Sequence, residues 1–206
     1  MTLKHWALVG GAVACLISLP IAAAPWAEPG DARARFAAQK LADRGHMDRT
    51  VSTWPMMWSA VHSGLKPSVA SDQSSVGSAA AYLRFEQEQQ AQPGFRGEYS
   101  IHGSSEIPGV RGFDQNPLAK AGTAINLQWQ GEVWALGLKP AYAHKRDDDE
   151  KLRLDGSYLA ATAGNWVFGA GAIDRWWGPG WQSSLILSNN ARPIPALWLN
   201  RNNSYA

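Results

Sequence analysis

Apolar and polar residues alternate along the C-terminal half of the chain, beginning near Phe95. In one example, Ile125, Leu127 and Trp129 fall on one face of an extended segment, while Asn126 and Gln128 fall on the other. A period of two over this length indicates a β-strand with two different faces. The alternation predicts seven strands, at about residues 95–103, 123–130, 132–144, 151–163, 165–175, 183–188 and 195–201.

The preceding segment, as far as about Gln92, has the periodicity of helices instead. It predicts three helices: one capped at Asp31 and ended by Gly45, one beginning at Thr53–Trp54–Pro55 and ending at Gly64, and one opened by Ser71–Asp72 that runs from Val76 to Gln90 before Pro93–Gly94. These helices are short and rich in alanine, so they have few large apolar side chains. They predict a small bundle that depends on packing against another part of the fold.

The lengths of the strands and of their connections favour a membrane β-barrel. Several predicted strands have about 9–13 residues, which is closer to the ~9–11 of a tilted membrane strand than to the ~5–6 of a soluble sheet. Their connections alternate between long and short, as outer-membrane barrels do between external loops and periplasmic turns. A soluble β-sandwich remains an alternative, since apolar and polar residues also alternate along its strands. Seven strands do not close a bacterial membrane barrel, which needs at least about eight.

The N-terminus resembles a secretory signal peptide. Lys4 and His5 precede the apolar run Trp6–Ile21, and small residues follow as Ala22–Ala24. We expect cleavage after Ala23 or Ala24, with a retained membrane anchor as the alternative. The predicted organisation is a signal peptide at residues 1–24, a periplasmic helical bundle at 25–93, and barrel strands at 94–206.

Composition narrows the class of protein further. The 206 residues include 19 Lys and Arg against 17 Asp and Glu, a formal net charge of +2. This balance, without a basic run, argues against nucleic acid as a partner. The single cysteine excludes a disulfide scaffold and a zinc site built on cysteines.

A rare aromatic string connects the chain to a known family. Residues 171–181 read GAIDRWWGPGW and are followed by QSSLILSNNARPIP at 182–195. Two further stretches are LDGSYLA at 154–160 and the helical pair KLADRG at 40–45 with TWPMMW at 53–58. In this order, over about residues 25–201, they resemble the capsule assembly Wzi family of Gram-negative outer-membrane proteins.

The resemblance implies a fold and a function. It implies an eighteen-stranded outer-membrane antiparallel β-barrel with an N-terminal helical bundle at its periplasmic end, of which this chain carries about seven strands. The overall class would be mainly β with an N-terminal helical bundle, a partial barrel. The implied role is lectin-like and non-catalytic: the protein binds and organises capsular or other surface polysaccharide, with outer-membrane lipid as its surroundings and no cofactor. Because family members are more than twice as long, a truncated chain that is inactive alone is an alternative.

The aromatic string also supplies the candidate glycan site. Sugars present apolar C–H faces that stack on aromatic rings, while nearby polar side chains bind their hydroxyl groups. The candidate ligand-binding residues are Trp176, Trp177, Trp181, Asp174, Arg175, Asn189, Asn190 and Arg192. The alternative is structural: the tryptophans form an aromatic girdle or pack a loop, and Asp174 pairs with Arg175 inside the barrel.

Motifs for catalysis are missing from the sequence. It contains no G-x-S-x-G, H-E-x-x-H, Walker loop or G-x-G-x-x-G, so we predict a protein that is not an enzyme and has no catalytic residue. The acidic run Asp147–Glu150 lacks the spacing of a calcium loop, and no metal site is predicted. Two alternatives remain: a porin-like channel, and a glycan hydrolase that uses Asp155 and Asp174 as a carboxylate pair.

Overall fold

The computed structural model describes residues 25–47, 51–67, 74–107, 109–114, 117–144 and 150–203. The predicted signal peptide, the Ser71–Asp72 helix start and residues 147–149 of the acidic run lie outside these ranges. Within them the protein is mainly β with a helical segment at its N-terminal side, as predicted.

One large antiparallel sheet forms the wall of the fold. Its strands are β4 (Gly94–Gly103), β5 (Ala121–Gln130), β6 (Trp134–Leu138), β7 (Ala141–His144), β8 (Leu152–Arg153), β9 (Tyr158–Ala163), β10 (Trp166–Gly171) and β12 (Ala196–Arg201). β4 pairs with β5, β5 with both β6 and β7, and β6 with β9, which leads through β10 to β12. Over the described residues the sheet stays open, with β4 and β12 at its edges, as in part of a barrel.

Two of the predicted strands are each interrupted. The 132–144 strand breaks at Lys139–Pro140, between β6 and β7, and the 151–163 strand breaks at 154–157, between β8 and β9. Pro140 has no N–H to donate to a neighbouring strand. At the same level the Lys139 N–H donates to the Ser157 Oγ at 3.0 Å, so the two interruptions face each other across the sheet.

The predicted strand at 183–188 is wrong. This segment is a loop whose Leu185 and Ile186 are exposed. Local backbone hydrogen bonds hold the segment: the Leu185 N–H donates to the Trp177 carbonyl, and the Trp177 N–H donates to the Leu187 carbonyl. No strand of the large sheet pairs with it among the described residues, so the alternation of its side chains has no partner surface.

The two faces of the sheet have opposite character. The outward face is apolar and exposed, with Phe95, Tyr99, Ile101, Ile125, Trp129, Trp134, Leu136, Leu138, Leu159, Trp166, Phe168, Leu197 and Leu199. The inward positions are small or polar and better covered, among them Gln128, Ala135, Ala160 and Val167. A water-soluble sheet buries its apolar face, whereas a membrane barrel presents it to lipid.

Three helices lie on the N-terminal side. They are α1 (Ala32–Asp43), α2 (Trp58–Gly64) and α3 (Ser75–Ala91). The predicted cap of α1 is confirmed, since the Asp31 Oδ1 accepts from the Ala34 N–H at 2.8 Å. Ser74, in the same way, caps α3 through the Val76 N–H. None of these described helices is both long and apolar enough to pass through a membrane.

The predicted start of the second helix is wrong. Thr53–Trp54 forms the short strand β2, and Met56–Met57 forms β3, so the helix begins only at Trp58. β2 pairs with β11 (Trp176–Trp177), and β3 pairs with β1 (Trp26–Ala27). These distant partners provide backbone hydrogen bonds that hold the segment extended.

Two apolar clusters join these parts. The helical core consists of the buried faces of the helices together with Phe113, Trp176 and the edge of Trp181. The wall core places Trp26 against the inner face of the sheet, with ring centroids 4.7 Å from Tyr158 and 5.1 Å from Trp198. The helical segment therefore packs on the inner side of the sheet.

Candidate functional site

A buried arginine ties the aromatic string to the helical core. Arg35 on α1 is 1% exposed, and its Nη2 donates to the carbonyls of Gly178 at 3.2 Å, Pro179 at 2.9 Å and Gly180 at 2.9 Å. Its guanidinium also lies 4.3 Å from the Phe113 ring centroid. The helical periodicity places Arg35 on the buried side of α1, where these carbonyls and rings interact favourably with its charged group.

Trp176 and Trp181 both take part in this packing, Trp176 fully buried and Trp181 partly buried. Trp176 is 0% exposed and its Nε1 donates to the Gly180 carbonyl at 3.1 Å. Trp181 packs against Phe113 at 5.8 Å and donates its Nε1 to the Gln39 Oε1. In this arrangement the Trp176 ring has no exposed face on which a sugar could stack, which agrees with the structural alternative that the tryptophans pack a loop.

Three further candidates serve to fasten loops. The Asn189 Nδ2 donates to the Phe113 carbonyl at 3.3 Å, and the Asn190 Oδ1 accepts from the Arg111 N–H at 2.6 Å. Arg192 forms ion pairs with Asp155 and Glu150. These contacts hold the 172–195 connection against the 104–120 connection and the β8–β9 turn. Each of the three side chains therefore already has a polar partner within the protein.

Trp177 and Arg175 line a cavity. Its volume is about 290 Å³, and its lining residues are Trp26, Thr53, Pro55, Met57, Ile173, Arg175, Trp177, Trp198, Leu199 and Asn200. Trp177 directly follows the buried Trp176 in β11, and successive strand residues point to opposite faces. Trp177 is consequently 40% exposed and available to a ligand.

A glycine shapes the wall of this cavity. Gly169 of β10 pairs with Trp198 of β12 across the sheet, and a Cβ at Gly169 would overlap the Trp198 indole. The absence of a side chain at Gly169 lets the indole lie against the backbone and reach Trp26. Trp198 thus presents an aromatic surface on the inner side of the sheet, beside Asn200.

Asp174 and Arg175 do not form the pair that the structural alternative expects. Asp174 lines a small separate recess with Glu28 and Lys139, and burial raises the pKa of its carboxyl group. Arg175 makes no ion pair, hydrogen bond or cation–π contact with the residues that the structure describes. The cavity also lacks any carboxylate among its described lining residues.

Several residues that line the cavity were not predicted from the sequence. Trp198 and Asn200 fall on the inward positions of a strand that was predicted, so the alternation contained a signal for them. Trp26, Met57 and Thr53 carried no such signal, because their placement depends on β1, β2 and β3 pairing with distant segments. Of the eight predicted site residues, Arg175 and Trp177 line the cavity.

A second, larger cavity is acidic. It has a volume of about 430 Å³ and lies between the inner face of β4 and β5 and the helices; its charged lining residues are Glu28, Asp31, Glu86, Glu98, Asp114 and Lys139. Burial raises the pKa of the Asp31 and Glu86 carboxyl groups, and the charge of Asp31 raises the pKa of Glu86 further. The proposed hydrolytic pair is not assembled here, since Asp155 is bound to Arg153 and Arg192 while Asp174 faces Lys139.

Comparison with known proteins gives a consistent picture. A family model described as capsule assembly protein Wzi matches residues 96–206. An uncharacterised 55.8 kDa protein in the cps region of Klebsiella pneumoniae is 27% identical over 169 residues, covering 78% of this chain and 32% of that protein. The chain thus spans about a third of the length of this curated relative.

A solved structure is similar in fold. It is Wzi, described as an outer-membrane protein involved in group 1 capsule assembly in Escherichia coli and as a carbohydrate-binding β-barrel. The TM-score is 0.69 at 23% identity, over 87% of this chain and 40% of that one. The likeness establishes that the open sheet described above has the fold of part of a β-barrel.

Proposed function

The chain belongs to the capsule assembly Wzi family, and we propose that it is a non-catalytic outer-membrane protein that binds and organises capsular or exopolysaccharide at the cell surface. The observation that carries this proposal is the cavity on the inner side of the sheet, where the exposed ring of Trp177 lies beside Arg175. An aromatic face next to a polar donor is the chemistry by which proteins hold sugars.

The sheet supports the proposed location. Its outward residues, such as Phe168 at 50% and Leu159 at 47% exposure, would be costly to leave in water but suit the hydrocarbon of a bilayer. Bacterial outer membranes contain proteins with this outward apolar band. We therefore propose outer-membrane lipid as the surroundings of the sheet, and the predicted signal peptide at residues 1–24 as the route of export.

The connections support an orientation. The turns at 131–133 and 164–165 are short and the 104–120 and 172–195 connections are long, so we propose that the short turns face the periplasm and the long connections face outward. At the short-turn end, the Ser59 Oγ of α2 donates to the Asn202 Oδ1 at 2.6 Å. At the other end Arg35 holds Gly178. We propose that the helical bundle of residues 25–93 enters from the periplasm and fills the inner side as far as the long connections.

The packing of the helical bundle against the inner face of the sheet favours a binding protein over a porin-like channel. A channel needs a continuous aqueous path along the inner face of its wall. Here Trp26 packs directly on Tyr158 and Trp198 of that face, and Arg35 fastens the helices to the 172–195 connection. The proposed partners are accordingly surface polysaccharide and lipid, with neither nucleic acid nor a cofactor.

The experiment is to measure how much polysaccharide cells retain. A strain lacking the gene is complemented with the wild-type protein, with Trp177→Ala, or with the control Trp129→Ala, whose ring has a similar exposure of 42% but lies on the outward face. We expect Trp177→Ala to shift polysaccharide from the cell-associated to the released fraction, and the control to retain it. Equal retention in all three strains, with equal amounts of folded protein in the outer membrane, would refute the site.

A further inference from the structure

Arg175 is the unusual charged group of the cavity. Other arginines that approach the core have partners: Arg35 contacts three carbonyls, and Arg153 donates to Asp155 at 3.3 Å. Arg175 is partly buried, yet within the described part of the chain it makes no polar contact. A guanidinium cannot lose its charge in a protein, so partial burial without a partner is unfavourable.

Among the described residues, the lining of the cavity does not supply an anion. Besides Arg175, the described lining of the cavity consists of neutral side chains, of which Thr53 and Asn200 are polar. Asp174, next in sequence, lies in the separate recess beside Lys139. The cavity thus combines one unpaired cation with aromatic walls formed by Trp26, Trp177 and Trp198, and a ligand that complements it must bring the negative charge itself.

Uronic acid residues complement both features. A hexuronate has an apolar C–H face that can stack on the Trp177 ring. It also has a planar carboxylate at the edge of its own sugar ring. Guanidinium binds carboxylate through two parallel N–H···O bonds, the strongest polar contact available to this cavity. A neutral hexose would leave the charge unpaired, and a phosphate would leave the aromatic walls uncovered. The volume of about 290 Å³ suits one or two sugar units at a time.

On the basis of the proposed function, we propose that this cavity selects acidic polysaccharide, and that Arg175 binds the carboxylate of a uronic acid residue while Trp177 stacks on its ring. The aromatic residues give affinity for sugar in general, and Arg175 gives the preference for the acid. No covalent step is involved.

The test uses matched pairs of probes. The protein, purified from outer membranes in detergent, is titrated calorimetrically with oligosaccharides of hyaluronan and of polygalacturonate, and with the same oligosaccharides after their carboxyl groups have been reduced to alcohols. We expect at least one acidic oligosaccharide to bind and its reduced form to bind about 10–100-fold more weakly, equivalent to about 1.4–2.8 kcal/mol, which is the range of a charge-assisted hydrogen bond. Raising the salt concentration weakens binding of the acid more than binding of the reduced form.

Variants assign the effect to Arg175. Arg175→Gln lowers affinity for the acid by the same factor as reduction of its carboxyl groups, and reduction has little further effect on this variant. Arg44→Gln, which removes the same charge from an exposed position at the end of α1, is the control and leaves both affinities unchanged. Near-ultraviolet circular dichroism confirms that each variant is folded.

The possible failures are distinguishable. If reduced and acidic oligosaccharides bind the wild-type protein equally, the selection of acid is wrong and glycan binding stands. If none of the four probes binds, the uronate assignment fails, whereas the proposed function is refuted only by the separate retention experiment on cells. If inorganic phosphate displaces the acid as well as free glucuronate does, the cavity is an unselective anion site and the uronate assignment is overturned. The comparison of probes on wild-type protein does not depend on any variant folding.

Discussion

Replacing Arg35 by methionine should loosen the 172–195 connection from the helical core. Methionine has a similar length and fills the space between Phe113 and Gly178, so the main loss is polar. The Nη2 group of Arg35 brings its two hydrogens to three carbonyl oxygens. After the substitution the Gly180 carbonyl still accepts a hydrogen bond from the Trp176 indole. The Gly178 and Pro179 carbonyls lose the hydrogen bond that Arg35 donates to them.

The expected loss follows from these contacts. Two charge-assisted hydrogen bonds contribute about 1.5–3 kcal/mol each, and the desolvated contact with the Phe113 ring about 1–2 kcal/mol. Against this, the variant no longer has to bury a charge, which returns several kcal/mol. The net destabilisation should be about 3 kcal/mol, equivalent to roughly 6–12 °C in melting temperature for a chain of this size.

The assay is thermal melting followed by near-ultraviolet circular dichroism, which reports on the packing of Trp176 and Trp181. Arg35→Met is compared with Arg44→Met, an exposed arginine at the end of the same helix, whose substitution should stay within about 0.5 kcal/mol of wild type. Arg35→Lys should fall between the two, since it retains a charge but not the planar contact with Phe113. A melting temperature of Arg35→Met within 2 °C of the control would refute this role of the arginine.

Three other predictions concern the wall and the helices. Gly169→Val should displace the Trp198 indole and reduce probe binding to the cavity, measured by calorimetry on protein that still assembles; unchanged affinity would contradict the packing. Phe168→Lys should cost about 2–4 kcal/mol and lower the amount of heat-modifiable barrel in outer membranes, whereas a water-exposed sheet would tolerate it. Glu86→Gln should raise the melting temperature at pH 7. Burial and the charge of Asp31 raise the pKa of Glu86, so the native state binds more protons than the unfolded one just above pH ~4, and stability falls as pH rises through that range. The difference between variant and wild type should vanish below pH ~4, and a gain that persists there would contradict this explanation.

The large sheet was predictable because its side chains alternate over long segments. The predicted 95–103 strand is Gly94–Gly103 in the structure, and the predicted 195–201 strand is Ala196–Arg201. The segment at 183–188 shows why alternation is insufficient. Its apolar residues alternate as well, but a strand of the large sheet requires a neighbouring strand, and the backbone of this segment bonds locally to Trp177 instead.

The candidate site was predictable only in part. Trp176 and Trp177 are neighbours of the same type, and the sequence offers no way to tell them apart. In the structure the pairing of β11 with β2 sends Trp176 into the core and Trp177 into the cavity. The opposite walls come from Trp26 and Trp198, which are separated by most of the chain and meet only through tertiary packing.

The most direct test of the central claim is to sediment capsular polysaccharide from the source strain with liposomes that contain the protein. We predict that the polysaccharide sediments with wild-type liposomes, that no reducing ends are released, and that liposomes carrying Trp177→Ala retain much less. Polysaccharide that remains in the supernatant with the folded wild-type protein, or that is retained equally by Trp177→Ala, would contradict this account.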